Sequence, residues 1–151
     1  MMKEKLGTFF LVLFLTTFFI QVQQSLATKI FSDADTSKSS NRIAVASVGD
    51  SAISEISQRA GRAPYYLLFD GNGVFLKSIK NSAGNRRGGA SSVVVGFLLK
   101  ESVKTVIAGR FGNKMIGQLK ANKIEYHERS GVAQKIVKTF LKNKRSKDGK
   151  K

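Results

Sequence analysis

The residues best suited to chemistry lie in one short turn, Gly109-Arg110-Phe111-Gly112-Asn113. An apolar run at residues 105–108 precedes it, and Met115, Ile116 and Leu119 follow at helical spacing. A glycine turn that opens a helix leaves backbone N–H groups free, and the helix dipole favours negative charge there. Arg110 adds a fixed guanidinium fork. Gly109, Arg110, Gly112 and Asn113 are therefore candidate contacts for an anion or an anionic cofactor. Arg86 and Arg87 sit in a glycine-bearing loop ahead of another helical segment and are candidates to join them. His127 is the one imidazole of the chain and follows the strand-like run Ile124-Glu125-Tyr126. It is the candidate metal ligand, with Glu125, Glu128 or Asp50 as companions, although metal sites normally use three or more protein ligands. The plainer reading stands beside these: the glycines only turn the chain, Arg110 is solvated, and His127 is a structural strand-end residue.

Other chemistries find little support. There is no cysteine, which removes disulfides, thiolate nucleophiles and Cys-ligated iron–sulfur clusters. Divalent-metal nuclease chemistry needs several convergent carboxylates. Residues 42–141 offer only Asp50, Glu55, Asp70, Glu101, Glu125 and Glu128. Asp70 opens Asp70-Gly71-Asn72-Gly73, where forming a turn is its natural role. No Ser-His-Asp relay is placed by spacing. The chain reads as a binding protein and not as an enzyme. Its 26 Lys and Arg against 10 Asp and Glu give a net charge of +16, which favours anionic partners.

The elements that must position these residues follow from hydrophobic pattern. Arg42-Ile43-Ala44-Val45-Ala46-Ser47 predicts a buried strand. Residues 51–61 are ambiguous, a short helix-like loop. Pro64 precedes Tyr65-Tyr66-Leu67-Leu68-Phe69, an acceptable place for a residue without a ladder donor. The turn at 70–73 supplies positive φ angles for a hairpin, and residues 74–80 return as the antiparallel strand. Residues 90–102 predict a helix, with Gly96 allowing close approach to the sheet. Residues 105–126 predict strand, turn, helix and parallel strand, a right-handed crossover. Residues 131–141 predict a last helix. Five strands with interleaved helices imply an α/β fold: a mixed five-stranded sheet in three α/β/α layers, with ligands expected at the carboxyl edge of the parallel strands.

Both ends read as non-globular. Lys3 and Lys5 precede an apolar run from Thr8 to Ile20, and small residues lead to Ala27. This is the pattern of a signal peptide over residues 1–27, cleaved near Ala27. The apolar run is short for the roughly 20 residues that a membrane span needs. The expectation is an exported, periplasmic protein. Residues 28–41 are polar and predict a flexible leader, and residues 142–151 predict a disordered basic tail. That tail gives a second functional reading, charge-driven binding of anionic lipid or nucleic acid.

With these elements in place, the sequence resembles a known family. Arg42-Ile43-Ala44-Val45-Ala46-Ser47 looks like its opening strand and Gly61-Arg62-Ala63-Pro64-Tyr65-Tyr66 like its most recognisable motif. Val106-Ile107-Ala108-Gly109, Gly112 and residues 119–126 are similar to its later half. The family is the dinitrogenase iron-molybdenum cofactor biosynthesis domain, and the likeness spans about residues 42–141. The resemblance implies a ribonuclease H-like fold. It also implies a carrier or accessory role toward an iron-molybdenum or other iron–sulfur-type cluster, without catalysis. Where members often carry a His-Gly-Ala-Gly-type sequence before the first long helix, this chain has Asn85-Arg86-Arg87-Gly88-Gly89-Ala90.

Overall fold

The computed structural model describes residues 41–149. The expected signal peptide, all of the leader but Asn41, and the last two residues of the basic tail lie outside them. The described chain runs β1 (Arg42–Ser47), a 3-10 turn (Ala60–Arg62), β2 (Tyr65–Phe69), β3 (Phe75–Lys80), α1 (Ala90–Lys100), β4 (Val103–Ala108), α2 (Asn113–Ala121), β5 (Glu125–Glu128) and α3 (Ala133–Asp148).

The strands form one mixed sheet in the order β3-β2-β1-β4-β5. β1 pairs antiparallel with β2 and β2 with β3, as a hairpin dictates. β1 and β4 are parallel, as are β4 and β5. The carboxyl ends of those three strands therefore reach one edge. Central strands buried on both faces favour successive apolar residues, which explains the runs Ile43–Ala46, Tyr66–Phe69 and Val106–Ala108, while Lys104 of β4 stays exposed.

Alternate residues divide the core between the faces. Ala44, Ala46, Tyr66, Leu68, Val106 and Ala108 pack with Val94, Leu98, Met115 and Leu119 of α1 and α2. Ile43, Val45, Leu67, Phe69 and Ile107 pack with Ala133 and Val137 of α3. The result is the expected α/β architecture with helices on both faces of five strands.

Three local readings change. The segment at 51–61 carries no helical turn beyond the one at Ala60–Arg62. Bridges from Ser47 to Ile56 and from Glu55 to Val132 hold it down instead. Gly96 is exposed and a Cβ there would meet nothing within 4 Å, so it serves no close approach. Residues 142–148 of the expected disordered tail continue α3 as helix. Lysine and arginine are good helix formers. The extension is also held laterally: Lys144 Nζ reaches Glu125 Oε2 at 3.3 Å, and Arg145 Nη2 donates to Asn72 Oδ1 at 3.5 Å.

A candidate anion cleft at the carboxyl edge

Three loops gather at the carboxyl edge on the face that carries α1 and α2. One is the 3-10 segment, one the loop ahead of α1, and one the turn between β4 and α2. They enclose a cleft of about 720 Å³. Its lining includes Arg59, Arg62, Arg86, Arg87, Arg110 and Lys114, and no aspartate or glutamate. Among the described residues, no carboxylate forms an ion pair with any of these six cations. In a cleft, like charges focus field and raise the local concentration of anions.

The backbone adds to this. α2 starts after Gly112, which is extended at φ −78° and ψ 151° and provides no side-chain cap. The Gly112 carbonyl accepts from Met115 and Ile116, at 2.9 and 3.0 Å. The N–H groups of Asn113 and Lys114 precede the first such bond and point out of the helix start. α1 starts after Gly89, held at φ 73°, again with no side-chain cap. That left-handed conformation suits glycine and few other residues. Two helix starts thus open on one cleft, since Gly89, Ala90, Gly112 and Asn113 all line it.

The walls are braced from behind. The buried Tyr66 hydroxyl donates to the Ala60 carbonyl at 2.6 Å. Burial raises the Tyr66 phenol far above its ordinary range, so it stays a protonated donor. Ala60 N–H in turn donates to the Arg110 carbonyl at 3.0 Å. Asn81 Nδ2 donates to the Ala63 carbonyl at 2.8 Å and its Oδ1 accepts from Ala83 N–H at 2.9 Å. Glu128 Oε1 accepts Phe111 N–H at 3.1 Å, fixing the arginine turn to the end of β5. The Phe111 ring packs edge-on against Tyr126 at 5.4 Å.

The structure brings Arg86, Arg87, Arg110, Gly112 and Asn113 together at this cleft. Gly109 stands apart from its lining. Its N–H donates to the Ser57 carbonyl at 2.9 Å, and a Cβ there would lie 2.7 Å from Gln58 Cα. Gly109 therefore permits close packing and offers no amide to a ligand. Spacing alone does not single out Arg59, Arg62 and Lys114. Arg62 lies inside the Gly-Arg-Ala-Pro motif and Lys114 follows Asn113, but only folding reveals that they face the same cleft.

His127 lies elsewhere. It pairs in register with Ile107, on the α3 face of the sheet. Its ring centroid stands 4.8 Å from that of Phe140, and Nε2 is 3.9 Å from Glu125 Oε2. Nε2 is buried without a hydrogen-bond partner among the described residues. Desolvation lowers the His127 pKa, with Glu125 opposing and Arg129 and Lys144 reinforcing the shift. Among the described residues, no three His, Cys, Asp or Glu side chains gather in a way that could hold a metal ion. Of the companions considered for His127, Glu128 is turned to the cleft side and Asp50 is exposed in the loop after β1. The sheet separates His127 from the arginines.

Comparison with solved structures gives the same architecture. A putative NifB protein from Thermotoga, said to belong to the DUF35 family, superposes with a TM-score of 0.59 at 26% identity. The match covers 68% of this chain and 88% of that one. The apo form of the orange protein from Desulfovibrio gigas superposes with a TM-score of 0.64 at 24% identity, covering 68% and 88%. No curated protein matches the chain. The sequence model described as dinitrogenase iron-molybdenum cofactor matches residues 41–143, nearly the whole folded region. By that match the chain belongs to the dinitrogenase iron-molybdenum cofactor family.

Proposed function

We propose that this protein is an exported, non-catalytic carrier that holds an anionic, metal-containing ligand in the arginine cleft. The observation that carries the reading is the convergence of six cations without a carboxylate among them. The family supplies the class of ligand, an iron-molybdenum or other iron–sulfur-type cluster. The donor set fits such a group in one way only. With no cysteine in the chain and His127 on the opposite face, the cleft has no thiolate or imidazole to coordinate iron or molybdenum. Guanidinium and backbone N–H groups instead suit a pre-assembled cluster that brings its own inorganic ligands and a negative charge. Redox or metal chemistry would belong to the bound cluster. The residues of this chain would bind it, orient it and limit its contact with water.

Anaerobic incubation with isolated iron-molybdenum cofactor, then gel filtration and metal analysis, tests the proposal. About one equivalent of molybdenum should travel with the wild-type protein. Replacing Arg86, Arg87 and Arg110 with glutamate should remove it while the circular dichroism spectrum is unchanged. Wild-type protein that retains no metal would overturn the cluster reading. Export is tested by fractionating the native host: mature protein lacking residues 1–27 should appear outside the cytoplasm.

A second reading has one feature in its favour. Lys135, Lys138, Lys142 and Arg145 follow one another at spacings of three, four and three along α3, which makes a cationic stripe. Such a stripe suits anionic lipid or nucleic acid through unspecific charge. A chain truncated after Leu141, which keeps Lys135 and Lys138 but loses Lys142, Arg145 and the basic residues beyond, should then be retained much less on phosphatidylglycerol vesicles or on a DNA column.

A further inference from the structure

Four of the six cations of the cleft fall into two banks. Arg86 and Arg87 precede Gly88-Gly89 and the uncapped start of α1. Arg110 and Lys114 flank Gly112 and the uncapped start of α2. Arg59 and Arg62, on either side of Ala60-Gly61, belong to the segment that also lines the cleft. Each bank therefore has its own arginine, its own glycine-bearing turn and its own free amides. The two helix starts belong to separate segments of the lining, so a ligand with two linked anionic groups can place one group at each. The aromatic side chain in the lining, Phe111, is 5% exposed, so the cleft has no open ring on which a nucleobase could stack.

We infer that the cleft contains two anion subsites, one per cationic bank, and that it selects ligands carrying two linked anionic groups over ligands carrying one. The inference rests on the reading of this cleft as an anion site. Arginine dominates the lining, five of six cations, and the planar fork recognises oxyanion groups by paired N–H donation. A ligand that bridges the banks gains from effective concentration: once one group is bound, the other is delivered to its subsite. A ligand with one group gains nothing of the kind.

The test uses inorganic phosphates as probes with the full-length chain, at low and fixed ionic strength, by isothermal titration calorimetry. Orthophosphate should bind with a stoichiometry of two per chain. Tripolyphosphate should bind with a stoichiometry of one and at least ~100-fold more tightly. Because tripolyphosphate also carries more charge, a variant isolates the bridging effect. The double substitution Arg86→Gln and Arg87→Gln should leave one orthophosphate bound and reduce the preference for tripolyphosphate to less than about tenfold. Substituting Arg110→Gln and Lys114→Gln should do the same from the other side, so the result does not hang on one variant's folding. Orthophosphate binding at one per chain in the wild type, or a preference untouched by both double variants, would overturn the two-subsite inference and leave the anion cleft standing. If neither phosphate binds at all, the cleft is no anion site, and the carrier reading fails with the inference.

Discussion

Gly109 and His127 show how far a residue's role depends on what stands opposite it. Gly109 is a candidate ligand contact by position, yet the space above its Cα is filled by the backbone of Gln58 and the Ser57 carbonyl, 2.7 and 3.1 Å from where a Cβ would stand. Backbone yields less readily than a flexible side-chain end. Gly109→Ala should therefore destabilise the fold by about 1–3 kcal/mol, seen as a lower midpoint in urea. Its effect on anion binding should arise only through displacement of the neighbouring Arg110 turn. For His127 the sign of the pH effect follows from burial. Its folded-state pKa lies below the unfolded value near 6.5. Between the two values the unfolded chain binds the extra proton, so stability is present above the unfolded pKa and declines as pH falls through it toward the folded one. Urea midpoints measured from pH 8 to pH 5 should fall for the wild type. The part of that fall due to the imidazole should vanish in His127→Phe. Neither role can be read from spacing, because both are set by residues distant in sequence.

At the scale of elements, hydrophobic pattern is a good guide wherever burial is complete. β1, β2 and the second half of β4 are legible as apolar runs, whereas Lys104, exposed within β4, hides the strand's first two residues; the hairpin is legible as Asp70-Gly71-Asn72-Gly73. In that turn Asp70 Oδ1 accepts N–H groups from Asn72 and Val74, at 2.9 and 2.8 Å. These bonds keep Val74 in the turn and delay β3 to Phe75. α3 is harder to delimit. Its apolar face ends at Leu141, but the helix runs to Asp148 on charged residues whose propensity and lateral partners a count of apolar spacing does not register. Truncation after Leu141 should lower helicity by circular dichroism. It should cost about 1 kcal/mol or less, since what it removes is exposed: the Lys144–Glu125 pair, the Arg145–Asn72 hydrogen bond and the last turns of α3. Orthophosphate binding in the arginine cleft, on the other face of the sheet, should persist. Loss of that binding with the tail would mean that α3, and not the cleft, holds the anion.

At the scale of the molecule, the sequence announces an excess of cations but not where they gather. Arg59, Arg62, Arg86, Arg87 and Arg110 come from three separate segments, and only the topology makes them neighbours. The same topology explains why His127 is not among them. Strand residues alternate between faces, so a register that sets His127 beside Ile107 commits it to α3, while Glu128 beside Ala108 turns toward the cleft. The β4–β5 crossover follows from the apolar pattern, but the face on which each β5 side chain emerges does not.

The five-stranded sheet is thus a bulkhead between two compartments that share one edge strand. Filling the arginine compartment should leave the imidazole in the other nearly undisturbed. In NMR spectra its carbon-bound ring protons would serve as a built-in spectator: sensitive to α3 through the Phe140 ring, and silent when phosphate arrives across the partition.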